Sequence, residues 1–79
     1  MLQRIIEAFP DEELLSADGF DTAVIGIEAN SMKLIYSTQK ILEILMEDMN
    51  AEDAIEYFEF NIKCAYVGEK TPIYCDDDF

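Results

Sequence analysis

The sequence contains no histidine. That removes the side chain most used for acid–base work near neutral pH and for holding metal ions, and with it most hydrolase and zinc-site chemistry. Basic residues are scarce: five Lys and Arg stand against 18 Asp and Glu, a formal net charge of −13. A phosphate backbone is bound by a basic stripe, so direct nucleic-acid binding is not expected, and the partners to expect are basic or neutral. No apolar run reaches the ~18 residues of a membrane span. Met1 to Phe9 shows neither the charged start and long apolar stretch nor the small-residue cleavage site of a signal peptide. The expectation is an intracellular, soluble chain with no membrane contact. Cysteine is limited to Cys64 and Cys75, which in a reducing compartment read as free, partly buried thiols. A Gly-rich phosphate loop is missing, Ser16, Ser31 and Ser37 sit in no nucleophile motif, and Cys64 has Lys63 beside it but no His as base. Neither an enzyme nor a cofactor is expected.

What is present is apolar area. Hydrophobic residues make up 51% of the 79 and aromatics 11%, too many for a chain that stays disordered for want of a core. A chain of this length makes one small domain, burying roughly 60% of its unfolded surface. The expected division is a helical arm over residues 1–16, a core over 20–75 and an acidic tail over 76–79.

Leu2, Ile5, Ile6 and Phe9 follow the spacing of one helical face, and Pro10 ends or kinks that helix. Asp11, Glu12 and Glu13 suit the positive end of a further helical turn carrying Leu14 and Leu15, before Ala17-Asp18-Gly19 turns the chain. Thr22 to Ile27 is β-branched and apolar on both faces, as in an interior strand, with Gly26 marking a bulge or a close approach. Asn30-Ser31 reads as a hairpin turn into a strand over 32–36, where Met32, Leu34 and Tyr36 share a face. Ser37 or Thr38 caps a helix from Gln39 to Met49 with an apolar stripe of Ile41, Leu42, Ile44, Leu45 and Met49. Asn50 caps a second helix, running to about Cys64 or Tyr66, whose buried stripe is Ala54, Ile55, Phe58 and Ile62, with Gly68 suited to a left-handed position after it. Ile73-Tyr74-Cys75 adds a last strand. The predicted fold is α+β: a three-stranded mixed sheet packed by a helical hairpin, with an N-terminal helical arm. The two-sided apolar character of residues 22–27 places that strand at the centre, with the last strand parallel beside it.

The segments AIEYFEFN (54–61), AYVGE (65–69) and TPIY (71–74) resemble a group of small bacteriophage proteins usually left as hypothetical. The likeness takes in the strand from Ala23, the Leu34-Ile35-Tyr36 strand and everything from the first long helix to Tyr74, but not the N-terminal arm. It implies an origin in phage infection, hence action in the host cytoplasm. It carries over no catalytic or binding residue.

The most informative feature is an acidic run without an intervening Lys or Arg: Glu43, Glu47, Asp48, Glu52, Asp53, Glu56 and Glu59. Glu43 with Glu47, Glu52 with Glu56 and Glu56 with Glu59 stand at like-charge helical spacings, each costing ~0.2–0.5 kcal/mol. Such a surface offers carboxylates much as a duplex offers phosphates, so it could fill the basic groove of a host nucleic-acid enzyme or defence protein. The ordinary alternative is a solubilising face. Tyr57, Phe60 and Tyr66 lie off the buried stripe and read either as an aromatic patch beside the acids or as cover for the sheet's flank and the arm. A homodimer through that face is a further alternative. The ending Asp76-Asp77-Asp78-Phe79 resembles the acidic, Phe-terminated tails of single-stranded-DNA-binding proteins, where the ring enters an apolar pocket and a basic rim holds the acids. It lacks the Ile-Pro of the bacterial form, and a polar tail without a partner is the alternative reading. The Asp run lacks the alternating ligands and central Gly of a calcium loop, so no metal site is expected.

Overall fold

The computed structural model describes residues 1–12, 14–17, 19–63 and 68–77. Its elements are helix α1 (Leu2–Ala8), a 3₁₀ turn (Asp21–Ala23), strands β1 (Val24–Ile27) and β2 (Leu34–Ser37), helix α2 (Thr38–Leu45), helix α3 (Ala51–Tyr57) running into a π-helical turn (Phe58–Ile62), and strand β3 (Ile73–Cys75). This is the expected small α+β fold, with an open three-stranded mixed sheet.

The strand order differs from expectation. The sheet runs β1-β2-β3, with β1 antiparallel and β3 parallel to β2, so β2 and not β1 is central. A parallel neighbour needs a long crossover, and the stretch from Thr38 to Pro72 with both helices supplies it. The apolar character of β1 has another cause: α1 packs against β1, and its Ile5 joins Val24 in the core cluster. Gly26 does mark a bulge. Val24 faces Tyr36 while Gly26 faces Ile35, leaving Ile25 as the extra residue.

Local chemistry sets the element ends. Helix α1 stops before Pro10, and Phe9 takes a non-helical backbone, as the residue before proline must. The expected second helical turn of the arm is not formed among the described residues: residues 14–17 are irregular, and only a Pro10-Asp11 turn follows, with the Glu12 N–H on the Phe9 carbonyl. Gly19, at φ +86°, turns the chain toward the sheet, a backbone state that residues with a Cβ adopt only at a cost. The β1–β2 hairpin closes through the Glu28 N–H on the Lys33 carbonyl, and its loop puts Met32 at φ +57°. The Glu28 carboxylate clamps that loop, accepting from the Asn30 N–H (3.1 Å), the Ser31 N–H and the Ser31 hydroxyl (2.6 Å). Helix α2 ends at Leu45, short of the expected Met49.

The core cluster joins Ile5, Ala23, Val24, Leu34, Tyr36, Ile41, Phe58 and Ile62. Leu34, Tyr36 and Ile41 are almost wholly out of water, each aliphatic side chain contributing ~1.5–3 kcal/mol. Tyr36 lies opposite Tyr74 in the β2–β3 pair, ring centroids 5.9 Å apart, and Tyr74 meets Phe58 edge-on at 5.5 Å. Such ring pairs add ~0.5–1.5 kcal/mol beyond their buried area. Burial, with Tyr36 nearby, raises the Tyr74 phenol above the usual tyrosine range. The Tyr36 hydroxyl accepts the Ala17 N–H at 2.7 Å, fastening the arm to the central strand. Outside the core, Lys70 reaches Glu12 (3.3 Å) and the Ser31 carbonyl (3.0 Å), linking arm, hairpin loop and the approach to β3. Ile55, expected in the buried stripe, is half-exposed because Ala54, Phe58 and Ile62 alone face the core and it falls on their flank.

Two measurements test this account. Tyr36→Phe keeps the ring and removes the acceptor of the Ala17 N–H, so urea unfolding should show a loss of about 1 kcal/mol. The Glu28 pKa is held below the usual glutamate range, chiefly by the Ser31 hydroxyl and then by the loop N–H groups. Its stabilising contribution is therefore present above that range and is lost as the pH falls through and below it. Unfolding curves from about pH 6 to about pH 3 should lose less stability in Glu28→Gln than in the parent.

Candidate functional site

The helical hairpin is built by two local caps. The Ser37 hydroxyl, in an extended residue, accepts the Lys40 N–H at 3.1 Å and starts α2; Asn50 accepts the Asp53 N–H at 2.8 Å and starts α3. Either cap is worth about 1 kcal/mol. Glu52 and Asp53 sit in the first turn of α3, where the helix dipole favours negative charge. With Ile41 facing in from α2 and Ala54 and Phe58 from the second arm of the hairpin, the polar residues are left outside.

All the acids of the run from Glu43 to Glu59 reach the surface. Glu43, Glu47, Asp48, Glu52, Asp53 and Glu56 are exposed, and Glu59 is half-exposed. Among the described residues the hairpin carries a single ion pair, Glu59 to Lys63 at 3.3 Å. An exposed pair of this kind contributes ~0.3–0.5 kcal/mol, which offsets about one of the like-charge spacings and leaves the others uncompensated. Gln39 donates to Glu43 at 3.4 Å, a weak contact.

Tyr57 and Phe60 are the aromatics of the patch that the sequence placed off the core, and both are exposed, Tyr57 at 45% and Phe60 at 75%. Tyr66 lies outside the described residues, as does Cys64. With Asp53, Glu56 and Asn61 the two rings line an open groove of about 290 Å³. Asp53 stands three residues before Glu56 and four before Tyr57, and Phe60 four and three after them, so all four share a helix face. That spacing was readable in advance; Asn61, four beyond Tyr57, belongs to the same face and sequence reasoning missed it.

The tail is placed in part. Asp77 accepts the Ser37 hydroxyl at 2.8 Å, so one carboxylate of the run is tied to the residue that starts α2, while Asp76 is exposed; Asp78 and Phe79 lie outside the described residues. Cys75 carries a free, half-buried thiol. A second groove, about 180 Å³, lies between α1 and the irregular segment after it, lined by Leu2, Ile6, Phe9, Pro10, Leu14 and Leu34 among others. Ile6 and Phe9, expected on the arm's buried face, remain partly exposed along it. Among the described residues no cluster of Cys, Asp and Glu has the makings of a metal site, and no helix is long and apolar enough to cross a membrane. No protein-family model, no curated protein and no solved structure matches the chain.

Ser37 serves two partners at once, which makes its removal informative. Ser37→Ala should cost about 1 kcal/mol through the lost cap. Asp77→Asn, at an exposed acceptor, should cost less. Urea denaturation of the two variants orders them.

Proposed function

We propose that this chain is a small acidic phage accessory protein that works by binding another protein through the outer side of its helical hairpin. The partner is a basic protein of the host, and the mode is mimicry of nucleic acid, as in an inhibitor of a nucleic-acid enzyme or defence system. One observation carries the reading: the acids from Glu43 to Glu59 stand at the surface of α2, of the turn after it and of α3 with its π-helical turn, and the Glu59–Lys63 pair is the only described ion pair among them.

The energetics support it. A helix that only needs solubility alternates charge sign and gains ~0.3–0.5 kcal/mol from each favourable pair. Here the spacings are like-charged and carry a small penalty. A surface that keeps its carboxylates unpaired is presented with the potential that steers a basic groove toward it, and the interaction weakens as salt screens it. The two caps fix the helices, and with them the positions of the acids, before any partner arrives.

Glu52→Lys with Glu56→Lys separates this surface from a merely soluble one. Reversal leaves a like-charge spacing at 52 and 56 and removes a negative charge from the start of α3, but it makes the 56–59 spacing favourable, so stability should change by less than about 1 kcal/mol. Binding to a basic, nucleic-acid-binding host protein, captured at low salt and displaced by duplex DNA, should weaken by about tenfold or more. A parent protein that captures only itself under every salt condition would leave self-association as the reading. Loss of binding on removing residues 76–79, with no effect of the reversal, would move the site to the tail.

A further inference from the structure

We infer that the groove on the outer face of α3 and its π-helical turn seats an arginine side chain of the partner protein. The inference rests on the reading of the hairpin as a protein-binding surface and gives it a point of specificity that charge does not.

One exposed aromatic is ordinary on a small protein. Phe60 is 75% exposed, and Tyr57, three residues before it on the same face, is 45% exposed. Asp53, Glu56 and Asn61 line a groove with the two rings, about 290 Å³ and open to solvent. That is just under the ~300–1,000 Å³ of small-molecule pockets, and it is not enclosed. It suits the end of one side chain rather than a free metabolite.

The lining selects the chemistry of that side chain. Ring faces carry negative potential and attract a cation, and carboxylates accept charge-assisted hydrogen bonds. A guanidinium satisfies both demands, because it is planar, weakly hydrated and stacks on a ring while its edge donates to a carboxylate. An ammonium is strongly hydrated and gains less from the ring. No Lys or Arg is among the residues that line the groove, and Lys63, three residues after Phe60, is paired with Glu59. A second copy is a poor occupant: a two-fold contact through this face would set Asp53 and Glu56 against their own equivalents and bury like charges.

Calorimetric titration with hexa-arginine and hexa-lysine peptides, of equal charge, tests the seat. The parent protein should bind the arginine peptide about threefold more tightly than the lysine peptide. Phe60→Ala, at an exposed position and checked for folding by its melting curve, should abolish that preference, and Phe60→Trp should keep it. Glu43→Lys with Glu47→Lys, away from the groove, should weaken both peptides alike and leave the preference intact. Equal affinity for the two peptides, unchanged in Phe60→Ala, overturns the arginine seat and leaves the acidic surface standing. If neither peptide binds at low salt, the acidic surface falls as a binding face and the seat falls with it.

Discussion

Tyr36 is the residue on which the structure turns. It sits in the central strand with no exposed surface, its ring meets Tyr74 of β3, and its hydroxyl takes the Ala17 N–H of the arm. One side chain thus joins three parts of the chain that are distant in sequence. Tyr74 extends the contact to Phe58 and so to the second half of the helical hairpin. A domain this small has few buried side chains to spare, and a large aromatic ring that also satisfies a backbone amide uses its volume twice.

The helical hairpin then depends on the sheet at both ends. Ser37 is the last residue of β2 and the cap of α2, so strand and helix meet without a loop and the direction of α2 follows from that of β2. The return crossover brings β3 alongside, and Asp77, just past β3, accepts from the same Ser37 hydroxyl. The first turn of α2 is therefore fastened to the centre of the sheet, and α3 follows from its own cap at Asn50. A surface that is to match a partner's charge pattern gains from being rigid before contact.

Much of this was legible wherever the signal was local. Asn50 as cap, Gly26 at a bulge, the stop before Pro10 and the exposure of the acidic run follow from side-chain chemistry within a few residues. The α+β fold class and the helical arm followed from hydrophobic period. The order of strands did not, because two-sided apolar character in β1 is produced equally by a central position and by an arm packed against an outer strand, and the sequence does not say where Leu2 and Ile5 come to rest. The Ser37–Asp77 and Tyr36–Ala17 bonds join residues 40 and 19 apart in the chain and leave no local trace. Ile55 was misplaced for a smaller reason: it lies at the border of its stripe, where one step around the helix decides between core and water. The groove at Phe60 was half-legible: the spacing was there, Asn61 included, but nothing local says whether rings off the buried stripe stay in water or cover the sheet's flank.

The parallel pairing of β2 with β3 also orders events in time. The β1–β2 hairpin closes over a loop of a few residues, a step of microseconds. The β2–β3 pair must wait for a crossover that includes both helices, and the entropy of closing it is met only when Tyr74 reaches Tyr36 and Phe58. The topology thus makes β3 the last strand to join and the aromatic cluster the contact that completes the sheet, while α2 and α3, too short to stand alone, become stable only as that core closes over them.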